Sequence, residues 1–176
     1  EMPDADHNTL LPFTRYLCGP GDYTLCYFNN RVKNTKGHQL AMAAVYYSPL
    51  QFYFWYDLPF VDKGEEELKF WKDCPTTFDE STALDGMPGE YIIQARRSGN
   101  EWYVGAMTNT QARTITIPTD FLPKGKYVVE IYNDDPTLST RTKVKREQMK
   151  VKGGGKPIVL QLQPSGGAAL HFTPIK

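Results

Sequence analysis

The chain has 176 residues, of which 40% are hydrophobic and 13% aromatic, enough apolar material for one core or two small ones. Twenty Lys and Arg residues balance twenty Asp and Glu residues, so the overall charge disfavours a partner that is a nucleic acid or an anionic membrane. No stretch approaches the ~20 consecutive apolar residues that a transmembrane helix needs.

The first predicted element is the aromatic run "LLPFTRYLCGPGDYTLCYF" at residues 10–28. We expect "LLPF" to form a buried strand or to lead into one, which places Arg15 and Asp22 where the strand meets a loop. There the two side chains could form an ion pair. A buried pair is costly unless it is fully hydrogen-bonded, so the favoured interpretation is a structural brace, and the alternative is support of active-site carboxylates.

Three cysteines, Cys18, Cys26 and Cys74, form no C-x-x-C pair and no zinc-type spacing. Cys18 and Cys26 could form a disulfide. Buried free thiols are favoured, because free cysteine is among the most buried residue types.

A helix is predicted next, because Leu40, Ala44 and Tyr47 recur at helical spacing in an alanine-rich stretch. Asn34 or Thr35 would cap its beginning, and Pro49 would kink it or start a new helix. Since this helix is apolar nearly all round, it should be buried on most sides. A short polar helix within "DKGEEELKFWKDC" then serves as a connector.

After residue 75 the pattern is that of short strands separated by turn residues such as "RSGNE" and "PSGG". Seven strands are predicted: Tyr91–Arg97, Trp102–Thr108, Ala112–Ile117, Tyr127–Tyr132, about Lys143–Val151, Ile158–Leu162 and Ala168–Phe172. Such a series is typical of an antiparallel β-sandwich. Because sandwiches avoid helices, we expect the first seventy or so residues to lie outside the core of the sandwich.

Several residues in this part of the chain are interpreted as structural. The aromatic side chains of the strands are expected in the core rather than on a sugar-stacking platform, namely Tyr91, Trp102, Tyr103 and Tyr127. The acidic residues at the join are expected in turns and caps, namely Asp79, Glu80 and Asp85. His38 and His171 are expected to pack, and the lysines of "RTKVKREQMKVKGGGK" to protect an edge strand.

The first half has too much apolar surface to stand alone in water, since one strand and one helix cannot bury each other completely. A β-then-α unit buried on every face is typical of a parallel α/β barrel. The predicted fold class is therefore α/β plus all-β: the last element or elements of a (β/α)8 barrel at 1–60, a linker with a short helix at 61–83, and a C-terminal antiparallel β-sandwich at 84–176.

The phrases "PFTR", "GPGDYT", "SPLQ", "PTTFDE" and "PGEYIIQARRSGNEWYVGAMTNTQAR" occur in this order along nearly the whole chain. Together they resemble the C-terminal portion of glycoside hydrolase family 97, whose members are α-glucosidases and α-galactosidases with an N-terminal β-sandwich, a catalytic barrel and a C-terminal β-sandwich. One departure is the Leu25–Cys26 pair, where the family often has Pro-Gly.

The resemblance implies calcium-assisted hydrolysis of terminal α-linked sugars by a longer parent enzyme, of which this chain would be an inactive part. Its partners would be an α-linked oligosaccharide or glycoside and the remaining N-terminal and barrel segments, in the periplasm or outside the cell. It implies that Glu1 is the candidate general acid. The candidate calcium ligands are Glu1, Asp4 and Asp6. The residues that would support these carboxylates are His7, Arg15 and Asp22.

The choice between glucoside and galactoside, and between inversion and retention, stays open at this point. The alternative function is a non-catalytic β-sandwich that binds carbohydrate or docks to another domain.

Overall fold

The computed structural model describes residues 3–29, 31–54 and 64–176. The helices are α1 (Ala5–Leu10), α2 (Lys36–Val45) and α3 (Lys69–Asp73), and short 3-10 turns lie at Leu11–Phe13, Arg15–Leu17 and Glu66–Leu68. The strands are β1 (Tyr23–Cys26), β2 (Gln51–Phe54), β3 (Glu80–Met87), β4 (Tyr91–Ser98), β5 (Glu101–Thr108), β6 (Arg113–Ile117), β7 (Lys126–Asp134), β8 (Val144–Lys152), β9 (Ile158–Leu162) and β10 (Gly167–Pro174). Within these residues, no helix is both long and apolar enough to cross a bilayer.

The first half contains a parallel β1–α2–β2 unit, in which Tyr23 lies opposite Gln51 and Cys26 opposite Phe54. Parallel strands need a crossover connection, which α2 supplies here. Thr35 caps the beginning of α2, as predicted, through its hydroxyl on the amide of His38.

Three details of this half differ from prediction. "LLPF" lies in α1 and a 3-10 turn and not in a strand, because Pro12 favours the first positions of a helical turn. The predicted helix ends at Val45, so Pro49 neither kinks it nor starts another, and the following strand β2 was not predicted. All three cysteines are free thiols, as favoured, and Cys26 and Cys74 are buried, but the expected burial is wrong for Cys18, which is exposed.

The second half is an antiparallel sandwich in which all seven predicted strands are present. One sheet has six strands in the order β3-β4-β5-β10-β7-β8, and β6 pairs with β9 in a second, two-stranded sheet. "RSGNE" forms the predicted β4–β5 hairpin, with Gly99 at φ +60°. The exposed lysine-rich strand β8 lies at a sheet edge, as expected.

The strand β3 was not predicted, because its exposed and half-buried residues lack a clear apolar alternation. The expectation that Glu80 and Asp85 occupy turns is therefore wrong, since both lie in β3, with a register shift between Ala83 and Asp85. Asp79 does cap a turn, accepting a hydrogen bond from the amide of Gly99 at 2.7 Å.

The buried core between the two sheets is built from residues 93–172, with Leu84 of β3 packed against it, so the first seventy or so residues lie outside this core, as predicted. Its members include Trp102, Val104, Ile117, Leu162 and Leu170. Tyr127 belongs to the same core, Tyr91 is half-buried against it, and Tyr103 is buried on the opposite face of the sheet. These three residues and Trp102 therefore form no exposed platform.

The opposite face of the six-stranded sheet is covered by α2, which lies across β5 and β10. Two glycines allow this close approach. A Cβ atom built on Gly105 would lie 2.4 Å from the carbonyl oxygen of Ala41, and one on Gly167 would lie 2.7 Å from the Cα of His38. The parallel unit and the sandwich therefore share a second core, which contains Leu40, Ala41 and Val45 of α2.

We expect the Gly105→Ala substitution to lower the free energy of unfolding by about 2 kcal/mol, because the methyl group overlaps helix backbone that cannot rotate away. Urea unfolding monitored by circular dichroism measures the change. Gly21→Ala is the matched control, since a Cβ there meets only the ring of Tyr16 at 3.0 Å and the side chain of Arg15. Equal stabilities of the two variants would show that α2 does not approach β5 so closely.

Candidate functional site at the join of the two halves

The predicted acidic site residues near the beginning of the chain do not converge. Glu1 lies outside the described residues. The carboxylate of Asp4 caps α1 by accepting a hydrogen bond from the amide of His7 at 2.9 Å. The carboxylate of Asp6 lies elsewhere and accepts hydrogen bonds from the amide and hydroxyl of Thr110, at 3.1 and 3.2 Å.

Asp4, Asp6 and His7 therefore do not by themselves form a calcium site. Among the described residues, no group of three carboxylate, imidazole or thiol ligands includes any of them. Their predicted roles as ligands and supporting residues stay predictions that depend on Glu1 and on residues outside this sequence.

Arg15 and Asp22 do not form the buried ion pair that we expected. Both are exposed, and the guanidinium of Arg15 donates to the carbonyl oxygens of Gly19 and Pro20, at 3.5 and 3.0 Å. No ion pair joins the two side chains in the described structure. The correction has a simple cause: the segment turns back on itself at Gly19, so backbone carbonyls reach the guanidinium first.

Asp22 instead lines a cleft of about 250 Å³ beside β1, together with Thr24, Asn34 and Gln39. The side chain of Gln39 is held there, since its amide group donates to Asn34 at 2.7 Å and its oxygen accepts from the amide of Cys26 at 3.0 Å. Of the predicted site residues that the structure describes, only Asp22 lines this cleft.

The beginning of α2 is fixed to the sandwich by Asp134, at the end of β7. Its carboxylate accepts hydrogen bonds from the hydroxyl of Thr35 at 2.5 Å, from the amide of Gly37 at 2.9 Å and from the amide of Gly167 at 3.1 Å. Burial raises the pKa of Asp134, while the three donors oppose this shift. A carboxylate at this end also interacts favourably with the helix dipole.

The end of α2 is fixed to the sandwich by Arg96 of β4, which is buried. Its guanidinium donates to the carbonyl oxygens of Ala44 and Val45, at 2.5 and 2.9 Å, and to the hydroxyl of Ser81 at 2.7 Å. The sandwich thus places a negative charge at the amino end of the helix and a positive charge at its carboxyl end, the arrangement that the dipole favours.

His38 lies in the first turn of α2, is fully buried and bridges three elements, which agrees with the predicted packing role. Its Nδ1 lies 3.1 Å from the carbonyl oxygen of Gly166, and its Nε2 lies 3.2 Å from the side-chain nitrogen of Asn8 in α1. A neutral ring fits both contacts, donating from Nδ1 and accepting at Nε2. Burial lowers the pKa of His38 to about 4, although the contact with Gly166 opposes the shift.

A second polar cluster joins α3 to the sheet. The ammonium group of Lys69 contacts the carboxylates of Asp73 and, at 3.0 Å, Glu130, and Arg146 donates to Glu130 at 2.6 Å. Burial alone would raise the pKa of Glu130, but the hydrogen bonds from Arg146 and Lys69 prevail and lower it to about 2. His171 completes the cluster, 3.6 Å from Asp73.

His171 packs as predicted, since its ring stacks on Tyr103 with 4.4 Å between the ring centroids. Its Nε2 lies 2.6 Å from the carboxylate of Glu101. Asp73, Glu130 and His171 have ligand atoms within 4.8 Å of one another, but two cations, Lys69 and Arg146, already balance the two carboxylates. We therefore interpret this cluster as a structural fastening of α3.

Four charged residues of these contacts were not predicted from the sequence, namely Asp134, Arg96, Lys69 and Glu130. Lys69 and Glu130 are charged residues with apolar neighbours on both sides, and that isolation is the signal that could have identified them. Asp134 and Arg96 each lie next to another charged residue, so the sequence carries no such signal for them. Their partners lie far away along the chain, 97 residues in the case of Gly37 and Asp134.

Residues 77–173 match the family model described as "Glycosyl-hydrolase 97 C-terminal, oligomerisation". The chain is 35% identical to a retaining alpha-galactosidase of Bacteroides thetaiotaomicron over 97% of its own length and 28% of the relative's. It is 29% identical to a probable retaining alpha-galactosidase of Streptomyces bingchenggensis, again over 97% of its own length and 26% of the relative's.

A solved structure agrees with these relatives. A glycoside hydrolase family 97 enzyme from Pseudoalteromonas sp. strain K8, in complex with acarbose, superimposes with a TM-score of 0.88 and 34% identity, over 98% of this chain and 29% of that enzyme. The chain spans less than a third of the length of each of these proteins. With the family model matched over more than half of its residues, the chain belongs to glycoside hydrolase family 97, and its sandwich is the C-terminal domain of that family.

Proposed function

We propose that this chain forms the last part of the catalytic barrel and the C-terminal sandwich of a retaining α-galactoside hydrolase that acts on terminal α-linked sugars. The two curated relatives carry the name of that activity. The proposal includes the remaining N-terminal and barrel segments of a parent enzyme as partners and an α-linked glycoside as substrate.

The observation that carries the proposal is the parallel β1–α2–β2 unit. Within the described residues, β1 and β2 pair only with each other. Parallel sheets occur almost only with both faces covered and with further strands beside them. Apolar side chains near this pair are exposed, with Leu50 at 61% and Phe52 at 52%. Further parallel strands of a barrel would cover such a surface.

The chemistry of the proposal requires a carboxylic acid that protonates the glycosidic oxygen and a second carboxylate placed closer than in inverting enzymes. Glu1 remains the candidate for the acid, because a partly buried glutamate can have its pKa raised toward neutrality. The second carboxylate would come from the remaining segments.

Calcium assistance and a periplasmic or secreted location are parts of the proposal that rest on the family resemblance alone. The described residues supply no complete ligand set for calcium, so its ligands would come from Glu1 and the remaining segments. Loss of activity of the longer enzyme in a chelator, restored by calcium and not by magnesium, would support this part.

We expect the 176-residue chain to show no hydrolysis of 4-nitrophenyl α-galactoside, whereas a longer protein that contains it should hydrolyse this substrate. In the longer protein, Glu1→Gln should lower kcat by about a hundredfold, the usual contribution of a general acid. Glu66→Gln is the control, since Glu66 is exposed and distant in sequence. Turnover by the 176-residue chain alone would contradict the proposal.

A second role is favoured by the family description, which names oligomerisation. The sandwich has its aromatic residues Trp102, Tyr103 and Tyr127 buried, which favours docking over sugar stacking for the non-catalytic alternative. The molar mass of the longer protein, measured by light scattering with and without residues 77–173, tests this role.

A further inference from the structure

The carboxyl end of β8 borders a cleft that the proposed function does not use. The cleft has a volume of about 650 Å³ and lies at the outer edge of the six-stranded sheet. Four lysines line it, namely Lys126, Lys150, Lys152 and Lys156, and none of its lining residues is acidic. Lysines on the edge strand β8 discourage edge-to-edge pairing, as expected, but that role does not require Lys126, which lies on the inner strand β7.

The strand register holds these charges together. Lys126 of β7 lies directly opposite Lys152 of β8, and like charges in this position repel each other. Lys150 lies two residues before Lys152 and so projects from the same side of β8. None of the four lysines forms an ion pair with an acidic residue in the part of the chain that the structure describes, whereas Lys145 on the same strand pairs with Glu147 at 2.5 Å.

The remaining lining of the cleft is largely apolar. Ile175 is 39% exposed and Pro157 is also exposed, whereas Met149 and Val151 project from the other side of β8, where Val151 packs against the core between the sheets. Unpaired ammonium groups around an apolar surface are complementary to a ligand that combines anionic groups with CH faces. A sugar ring that carries a sulfate or a carboxylate has both features.

We propose that this lysine cleft binds a segment of an acidic polysaccharide, with sulfate or uronate groups on the lysines and ring CH groups on Ile175 and Pro157. Other occupants fit less well. Single-stranded nucleic acid needs stacking aromatic side chains, and the lining contains none. A second copy of the chain, docked symmetrically through this cleft, would bring the lysines of both copies together.

Affinity electrophoresis of the 176-residue chain in gels that contain dextran sulfate tests the proposal, with neutral dextran of equal length for comparison. We expect retardation only by dextran sulfate, weakening as salt is raised. The triple variant Lys150→Gln, Lys152→Gln, Lys156→Gln should bind about tenfold more weakly, from the sum of three exposed charge contacts. The triple variant Lys33→Gln, Lys72→Gln, Lys143→Gln has the same net charge and should bind like the unchanged chain.

Three results would overturn the proposal: no retardation by dextran sulfate, an equal loss in both triple variants, or tighter binding to anionic phospholipid vesicles than to dextran sulfate at equal charge. Thermal melts of both variants show whether each is folded. Because activity is not measured, failure of this experiment leaves the proposed hydrolase function unaffected.

Discussion

Replacing Asp134 by alanine is expected to lower the free energy of unfolding by about 4 kcal/mol, the largest effect that we predict for a single substitution in this chain. The carboxylate satisfies three donors at once, the hydroxyl of Thr35 and the amides of Gly37 and Gly167. Removing it leaves these donors buried without a partner, and each such group costs about 1–3 kcal/mol. The helix also loses the negative charge at its beginning.

The measurement is equilibrium urea unfolding near neutral pH. Asp134→Asn should have an intermediate effect, because an amide keeps one acceptor oxygen but loses the charge and adds two donors. Asp135→Ala is the neighbouring control, because the Asp135 carboxylate bonds only within its own turn, to Thr137. If Asp134→Ala were as stable as Asp135→Ala, the contact between α2 and the sandwich would not contribute as we infer.

This contact also explains what sequence reasoning could and could not predict. The strands after residue 90 follow from alternation and turn residues, and α2 follows from its apolar spacing and the Thr35 cap, because these signals are local. The place of α2 on the sheet follows from Gly105, Gly167, Asp134 and Arg96, which meet it only through the tertiary fold. No local pattern distinguishes a glycine that admits a helix from a glycine in a strand bulge.

The candidate site shows the same limit more strongly. Composition and motif order led to the family, but the pairing of Arg15 with Asp22 was wrong, since backbone carbonyls satisfy Arg15. Under the proposed function, the carboxylates proposed for catalysis would need partners from other strands of a barrel. A site assembled from the ends of several strands cannot be derived from the strands of one unit.

The two halves are therefore coupled by α2 rather than joined by a linker alone. The helix buries one face of the sheet, and its two ends are bound by charged residues of β4 and β7. Under the proposed function, in which the first half closes a barrel, a sandwich fixed in this way would hold the last barrel helix and, through β1 and β2, the adjoining part of the barrel. It would then act as a brace for the catalytic domain.

Lowering the pH is expected to destabilise the chain through His38, by about 3 kcal/mol between about pH 7.5 and about pH 4. Burial lowers the pKa of His38 to about 4 in the folded protein, whereas an unfolded histidine titrates near its ordinary value of ~6.5. Between these two values the unfolded chain binds a proton that the folded chain does not. The contribution of His38 to the free energy of unfolding is therefore fully present above about pH 6.5 and is lost as the pH falls toward 4.

The matched comparison is His38→Gln, which can still donate to Gly166 and accept from Asn8 but does not titrate. We expect this variant to be less stable at neutral pH yet to lose much less stability on acidification, whereas His7→Gln should keep the full pH dependence because His7 is exposed. The pKa of Glu130 is lowered to about 2, so the stability that this carboxylate contributes is lost mainly below about pH 4.5, outside most of the range from pH 7.5 to pH 4. An unchanged slope of stability against pH in His38→Gln would contradict the burial of a neutral imidazole between α1, α2 and the turn before β10.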